Sequence, residues 1–223
     1  DTAITKFPEP CNSPITYRIK AIDSNGIFSY SDTATREALD TISPNRAKLR
    51  NVSVVQDSVT AVTFEGADSL DIYAYEVMRK REDSTFQLAK QVLFDTPGGT
   101  FTIYDTTATQ QDQLCYQVFT KDSCLNIVRS DTLCAVQLEG SPGNKENFLR
   151  WHTFKGKPNP EYQVQRKKGG KWQTLGKTTD TSFTDTTDMA CHVTQAYRIM
   201  TVFKNSNDTS YSDTLHLTPY DTT

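Results

Sequence analysis

The chain has 223 residues, with 24 Lys and Arg against 27 Asp and Glu and a formal net charge of −3. That length holds one large domain or two to three small ones. The scattered charge offers no basic stripe for phosphates, which argues against a nucleic-acid reading, and no apolar run approaches the roughly 20 residues needed to cross a bilayer. No secretory leader is visible, so a mature chain or a fragment is expected.

Val, Ile, Thr, Tyr and Phe recur in short alternating runs, the pattern of an all-β chain. One strand is written three times, as Tyr17-Arg-Ile-Lys-Ala, Tyr116-Gln-Val-Phe-Thr and Tyr197-Arg-Ile-Met-Thr. Alternate residues share a face of a strand, so Tyr, Ile/Val and Ala/Thr point the same way. Each copy is followed by Ser-Asp-Thr, at 31–33, 130–132 and 212–214.

Taken in order, residues 1–42 hold only the repeat strand Ile15–Ala21 and its successor Ile27–Arg36, joined by the turn Asp23-Ser-Asn-Gly26. Asn-Gly tolerates the positive φ of a tight turn. The other copies have a longer run before this hairpin, so the first unit is expected to be truncated or completed by something else. The second unit, 43–140, is expected to hold strands at Leu49–Val55, Val59–Phe64, Tyr73–Lys80, Phe86–Leu93, Thr100–Tyr104, Leu114–Thr120 and Val128–Leu138. The third, 141–223, gives Phe148–Trp151, Tyr162–Lys167, Trp172–Leu175, Ser182–Thr184, Gln195–Thr201 and Tyr211–Leu217. Gly169-Gly170 closes a hairpin.

The two long units match beyond the repeat strand. Tyr75-Glu-Val-Met-Arg79 aligns with Tyr162-Gln-Val-Gln-Arg166, Phe64 with Trp151, and Tyr104-Asp-Thr-Thr107 with Thr184-Asp-Thr-Thr187. Seven short strands in a unit of this length form a two-sheet sandwich. With Trp151 on an early strand and Tyr17, Tyr116 and Tyr197 opening the sixth, each unit resembles the fibronectin type III domain. The resemblance implies tandem immunoglobulin-like sandwiches, each corner Tyr turning its hydroxyl back to the preceding corner. The expected core is Phe64, Tyr75, Val77, Tyr116, Val118, Trp151, Tyr162, Val164, Tyr197 and Ile199.

Chemistry is sparse. His152, His192 and His216 have no ligand spacing, so no metal site, cofactor or catalytic residue is expected, and His152 should face outward. Glu65, Asp68 and Asp71 read as a solvated loop. Lys167-Lys-Gly-Gly-Lys171 before Trp172 is a basic–aromatic cluster, readable as a charged hairpin or as a platform for a sugar or anion.

Of 19 aspartates, 16 precede Ser or Thr, where composition predicts about four. Side-chain capping of turns explains part of this. The dipeptide also resembles the general O-glycosylation sequon of Bacteroidota. That resemblance implies acceptors at Thr2, Thr33, Thr41, Ser58, Ser69, Ser84, Thr106, Thr132, Thr186, Thr214 and Thr222. Tandem sandwiches with Asp-Thr-rich edges are similar to large surface proteins of that phylum, exported by type IX secretion and including gliding-motility adhesins. A structural or adhesive segment at the cell surface or outside the cell is implied. Its expected partners are neighbouring domains, glycans and other surface or secretion-machinery proteins. A scaffold subunit of that machinery and an accessory module of a secreted glycoside hydrolase or peptidase remain open.

The five cysteines are read from the hairpins. Cys115 and Cys134 sit opposite each other across a turn near Cys124 and Leu125, both expected on the outward face and near enough to bridge. Cys124 at the hairpin tip and Cys11, six before Tyr17, are candidates for a staple between units. Cys191, six before Tyr197, would reach toward a further unit. The rival reading makes Cys11 and Cys191 small buried apolar residues.

Overall fold

The computed structural model describes residues 11, 13–37, 40–56, 59–69, 71–80, 85–93, 98–107, 113–204, 206 and 208–222. It is an all-β tandem of fibronectin type III-like sandwiches, entered by a lone hairpin.

The hairpin comprises β1 (Pro14–Tyr17), β2 (Lys20–Ile22), β3 (Phe28–Tyr30) and β4 (Ala34–Glu37). β1 pairs with β4 and β2 with β3, leaving breaks at Arg18–Ile19 and at Ser31–Thr33. Its turn is built as the sequence requires. Asp23 Oδ1 accepts the amides of Asn25 (2.9 Å) and Ile27 (2.8 Å), and Gly26 takes φ 82°.

The second unit begins with β5 (Lys48–Gln56), β6 (Val59–Glu65), β7 (Ile72–Lys80), β8 (Gln87–Leu93) and β9 (Thr100–Asp105). It ends with β10 (Cys115–Asp122), β11 (Ile127–Arg129) and β12 (Leu133–Cys134). One sheet runs β5–β6–β9; the other runs β8–β7–β10–β11, with β12 also on β10. The third unit uses β13 (Leu138–Pro142), β14 (Asn147–Trp151), β15 (Pro160–Lys168), β16 (Lys171–Thr178) and β17 (Ser182–Asp185). β18 (Gln195–Phe203), β19 (Thr209–Tyr211) and β20 (Leu215–Leu217) complete it. Its sheets are β13–β14–β17 and β16–β15–β18–β19, with β20 on β18. Gly169 and Gly170, at φ 58° and 79°, form the tight β15–β16 turn.

Two expectations are corrected. Leu138–Pro142 is not the end of the second unit. It pairs along β14 from Leu138↔Trp151 to Pro142↔Asn147, so the boundary expected after Gly140 falls inside a strand. No polar turn separates it from Val136, which is why it read as one run. The run Val128–Leu138 falls on β11, β12 and the first residue of β13, and Tyr211–Leu217 on β19 and β20, each broken at Ser-Asp-Thr.

That split has a cause repeated in all three hairpins. The Ser hydroxyl replaces a ladder carbonyl. Ser31, Ser130 and Ser212 Oγ accept the amides of Ile19, Val118 and Ile199 at 2.9, 2.9 and 2.8 Å. Each then donates to the carbonyl of the following Asp, at 2.8, 2.7 and 2.7 Å. The strand changes course there without leaving the central amide unpaired, which a buried N–H requires.

All ten expected core residues are buried, at 0–3 % exposure. Phe64 and Trp151 pack edge-on against Tyr75 and Tyr162, with ring centroids 5.2 and 5.5 Å apart. Tyr75 and Tyr162 spend their hydroxyls identically, accepting the amides of Ala67 (2.8 Å) and Phe154 (3.0 Å).

The sandwiches also touch each other. β5 and β19 lie side by side, linked through side chains. Asn51 Nδ2 donates to Thr209 O (2.8 Å), Ser210 Oγ to Val52 O (2.6 Å), and Tyr211 N to Ser53 Oγ (3.0 Å). On another side, Cys134 N donates to Lys155 O (3.1 Å). Gly156, at φ 102°, approaches so closely that a Cβ would run into the carbonyl oxygen of Thr132.

Candidate functional site

Three matched motifs of the sequence converge at one place in each sandwich. In the second, the end of β7 brings Arg79, the end of β9 brings Asp105, and the start of β10 brings Tyr116. Arg79 Nη1 lies 2.5 Å from Asp105 Oδ2, Tyr116 Oη donates to the same oxygen at 3.0 Å, and Thr107 N caps Oδ1 at 3.0 Å. In the third, Arg166 donates to Asp185 Oδ2 at 2.7 Å, Tyr197 donates to it at 2.9 Å, and Thr187 N caps Oδ1 at 3.0 Å. The corner tyrosines therefore turn back to a buried carboxylate. Burial pushes Asp105 up, but bonds from Thr107, Arg79 and Tyr116 outweigh it and hold the group below its ordinary range. Burial first, and then the Asp105 charge, push Tyr116 up. Burial and the Asp185 hydrogen bond raise Tyr197 to about 12. Each triad clamps three strands.

The structure joins Cys115 to Cys134 and Cys11 to Cys124, with Cα atoms 4.0 and 5.1 Å apart. Cys115 and Cys134 are directly paired across β10 and β12. They point away from the core, yet neither is open to solvent, at 6 % and 2 % exposure. The segment around Lys155 of the next sandwich covers the bridge on this outward face. Cys191 is a free, half-buried thiol that meets Tyr220 O at 3.6 Å.

One grouping was not foreseen. Carboxylate oxygens of Asp40, Asp71 and Asp122 lie within 4.8 Å of one another, the one such group of potential metal ligands among the described residues. An all-oxygen set of this kind suits a hard cation. Each carboxylate already accepts hydrogen bonds: Asp40 from Ile42 N, Asp71 from Ser69, and Asp122 from Cys124 N and Asn126 N. Asp71 is thus drawn into contacts rather than left in a solvated loop, and Glu65 pairs with Arg50. Asp68 is exposed. No histidine joins the group; His152 is half-buried, 3.8 Å from Glu139.

Among the glycan acceptor candidates, Thr33, Thr41, Thr106, Thr186 and Thr222 are exposed, and Ser69, Thr132 and Thr214 are half-buried. Thr2, Ser58 and Ser84 lie outside the described residues. Much of the Asp-Ser/Thr excess has local work to do. Asp23 and Asp122 organise matching hairpin turns, Asp105 and Asp185 hold the triads, and Asp213 accepts Leu138 N at 3.1 Å.

The basic–aromatic cluster lies in a cleft of about 290 Å³ between the sandwiches. Val54, Val55 and Gln56 of β5 form one side; Lys167, Trp172, Arg198 and Thr214 line the other. Arg198, unsuspected from sequence, is stacked between two rings. Its Cζ lies 4.4 Å from the Trp172 centroid and 4.2 Å from that of Tyr211. Its Nε donates to Gln165 Oε1 at 2.8 Å. A sequence signal existed, since Arg198 alternates with the inward Tyr197 and Ile199 and so faces outward.

No family model matches the chain, and no curated protein matches it. Among solved structures it is similar to the crystal structure of the chicken CNTN1 FN1–FN3 domains, at 15 % identity and TM-score 0.31, over 80 % of this chain and 66 % of that one. The chain thus spans just under two thirds of that structure. No helix among the described residues is long and apolar enough to cross a membrane. Strand order carries the fold: a three-stranded sheet facing a five-stranded one in both complete units, with each corner Tyr opening the same strand, makes this a tandem of fibronectin type III-like sandwiches.

Proposed function

We propose that the chain is a non-catalytic structural and adhesive segment of a large extracellular or cell-surface protein, with a hairpin unit within 1–42 followed by two sandwich modules, the second starting at β13 rather than at residue 141. The observation that carries this reading is the joint between the modules. Two sandwiches are docked through β5 and β19, and Cys11–Cys124 ties the hairpin to the second sandwich. Disulfides persist in oxidising compartments, which favours a place outside the cytoplasm. The resemblance to type IX-exported and gliding-motility proteins of Bacteroidota supplies the finer reading, with O-glycans on exposed Asp-Thr sites.

The test is surface labelling of intact cells with a membrane-impermeant amine reagent, followed by intact-mass and non-reducing peptide mapping of the native chain. The expected result is labelled surface lysines, two bridged cysteine pairs, and mass above the sequence mass in discrete sugar increments on peptides holding Thr33, Thr106 or Thr186. A chain protected inside the cell with five free thiols refutes the surface reading. An unmodified native mass removes the glycans alone.

A further inference from the structure

Arg198 holds a guanidinium in a half-buried place, and no carboxylate lies within ion-pair distance of it among the described residues. Charges removed from water are ordinarily paired. The rings of Trp172 and Tyr211 compensate its two faces, and Gln165 takes Nε, but the remaining N–H groups in the guanidinium plane have no partner among the described residues. Lys167 stands beside it, 5.8 Å from the Trp172 ring and likewise without an acidic partner among the described residues. Both cations border the same cleft, whose other groups are apolar, hydroxylic or the amide of Gln56.

We propose that this cleft binds a single acidic sugar residue of the hexuronate type. Its planar carboxylate meets the in-plane N–H groups of Arg198 and the ammonium of Lys167. Trp172, Val54 and Val55 supply apolar wall for the C–H groups of the ring, and Thr214 and Gln56 lie within the same lining for its hydroxyls. A planar carboxylate can take two parallel N–H bonds from the guanidinium fork. The volume is at the small end for ligand sites and suits one ring. An acidic peptide fits less well. Peptides add to sheets through free strand edges, and here the facing edges of β5 and β19 are joined through Ser53 and Ser210. This binding function does not depend on the surface-segment reading, and its test is independent of that one.

The 223-residue chain is titrated at low ionic strength with sodium glucuronate, with glucose and with a tetraglutamate peptide. Tryptophan fluorescence and the arginine Nε–H resonances are followed. Trp151 is 3 % exposed and serves as the internal reference for Trp172. Glucuronate is expected to change the Trp172 emission and shift the Arg198 signal, with glucose silent at equal concentration. Arg198→Gln should weaken binding about tenfold or more, the worth of a charge-assisted bond. Lys167→Ala, at an exposed position, should weaken it severalfold with an unchanged melting temperature, so the reading survives if Arg198→Gln also loosens the seam. Equal responses to glucose and glucuronate, no response to either, or a stronger response to tetraglutamate would each overturn the proposal.

Discussion

The hairpin of residues 14–37 and those built on β10 and β18 carry one motif in two environments. Backbone geometry is the same: each is split at Ser-Asp-Thr, and each Ser clamps the central amide of the repeat strand. Burial is opposite. Tyr17 is 54 % exposed and Ile19 73 %, whereas Tyr116, Val118, Tyr197 and Ile199 are at 0 %. The first hairpin covers itself as far as two strands can, with Arg18 over Tyr30 at 4.0 Å and Lys20 over Phe28 at 4.4 Å. Turn and strand-break are therefore local properties of the sequence. The apolar face is a contribution to a core that other strands must complete, and a two-stranded ribbon cannot supply them.

Substitution at the repeated Tyr should separate these environments most sharply. Tyr197→Ala, or Trp151→Ala beside it, should cost about 3–5 kcal/mol and nearly unfold the third sandwich, while Tyr17→Ala should stay within about 0.5 kcal/mol. Chemical denaturation of each variant reads the difference; comparable losses at positions 17 and 197 would erase the contrast. Next comes the buried pair. Asp185→Asn leaves Arg166 uncompensated and should cost about 3 kcal/mol or more. Asp105→Asn should cost less, because Arg79 is more exposed than Arg166, 14 % against 7 %. The reverse ranking would show that the triads differ in more than burial.

Alkali should act on the sandwiches and spare the hairpin. Tyr197 has a folded pKa of about 12, above the usual 10, so its contribution is fully present below pH 10. It is lost as pH rises toward 12, an effect on the order of 2 kcal/mol. Unfolding midpoints measured against pH should fall in that window, and Tyr197→Phe should flatten the fall. The smallest effect belongs to the clamps. Ser130→Ala and Ser212→Ala strand a buried amide and should cost about 1–2 kcal/mol, whereas Ser31→Ala, with water available, should cost a few tenths.

The repeat, the period-two pattern and the aromatic positions made the sandwiches legible in sequence, because these are one-dimensional signals. Hairpin arithmetic likewise set Cys115 opposite Cys134. The triads were present only as matched fragments: Arg79, Asp105 and Tyr116 come from three strands, and no local rule says that their ends meet. The seam was not legible. Asn51, Ser53 and Ser210 read as ordinary polar strand residues until a neighbouring module removes them from water. The covering of Cys115–Cys134 has the same origin, since it depends on how one sandwich meets the next.

The two disulfides also decide how the chain would carry tension. A pull applied between Cys11 and Cys134 does not travel through β5–β9. It crosses from Cys11 to Cys124 and then runs over roughly ten residues to Cys134, or back along a similar stretch to Cys115 and across the second bridge. Fully drawn out, that route gives about 35 Å, where the unbridged chain would yield more than about 400 Å. Strands β5–β9 hang as a loop beside the loaded thread. They can unfold and refold without the thread lengthening, so in an oxidised chain most of the slack comes from the third sandwich.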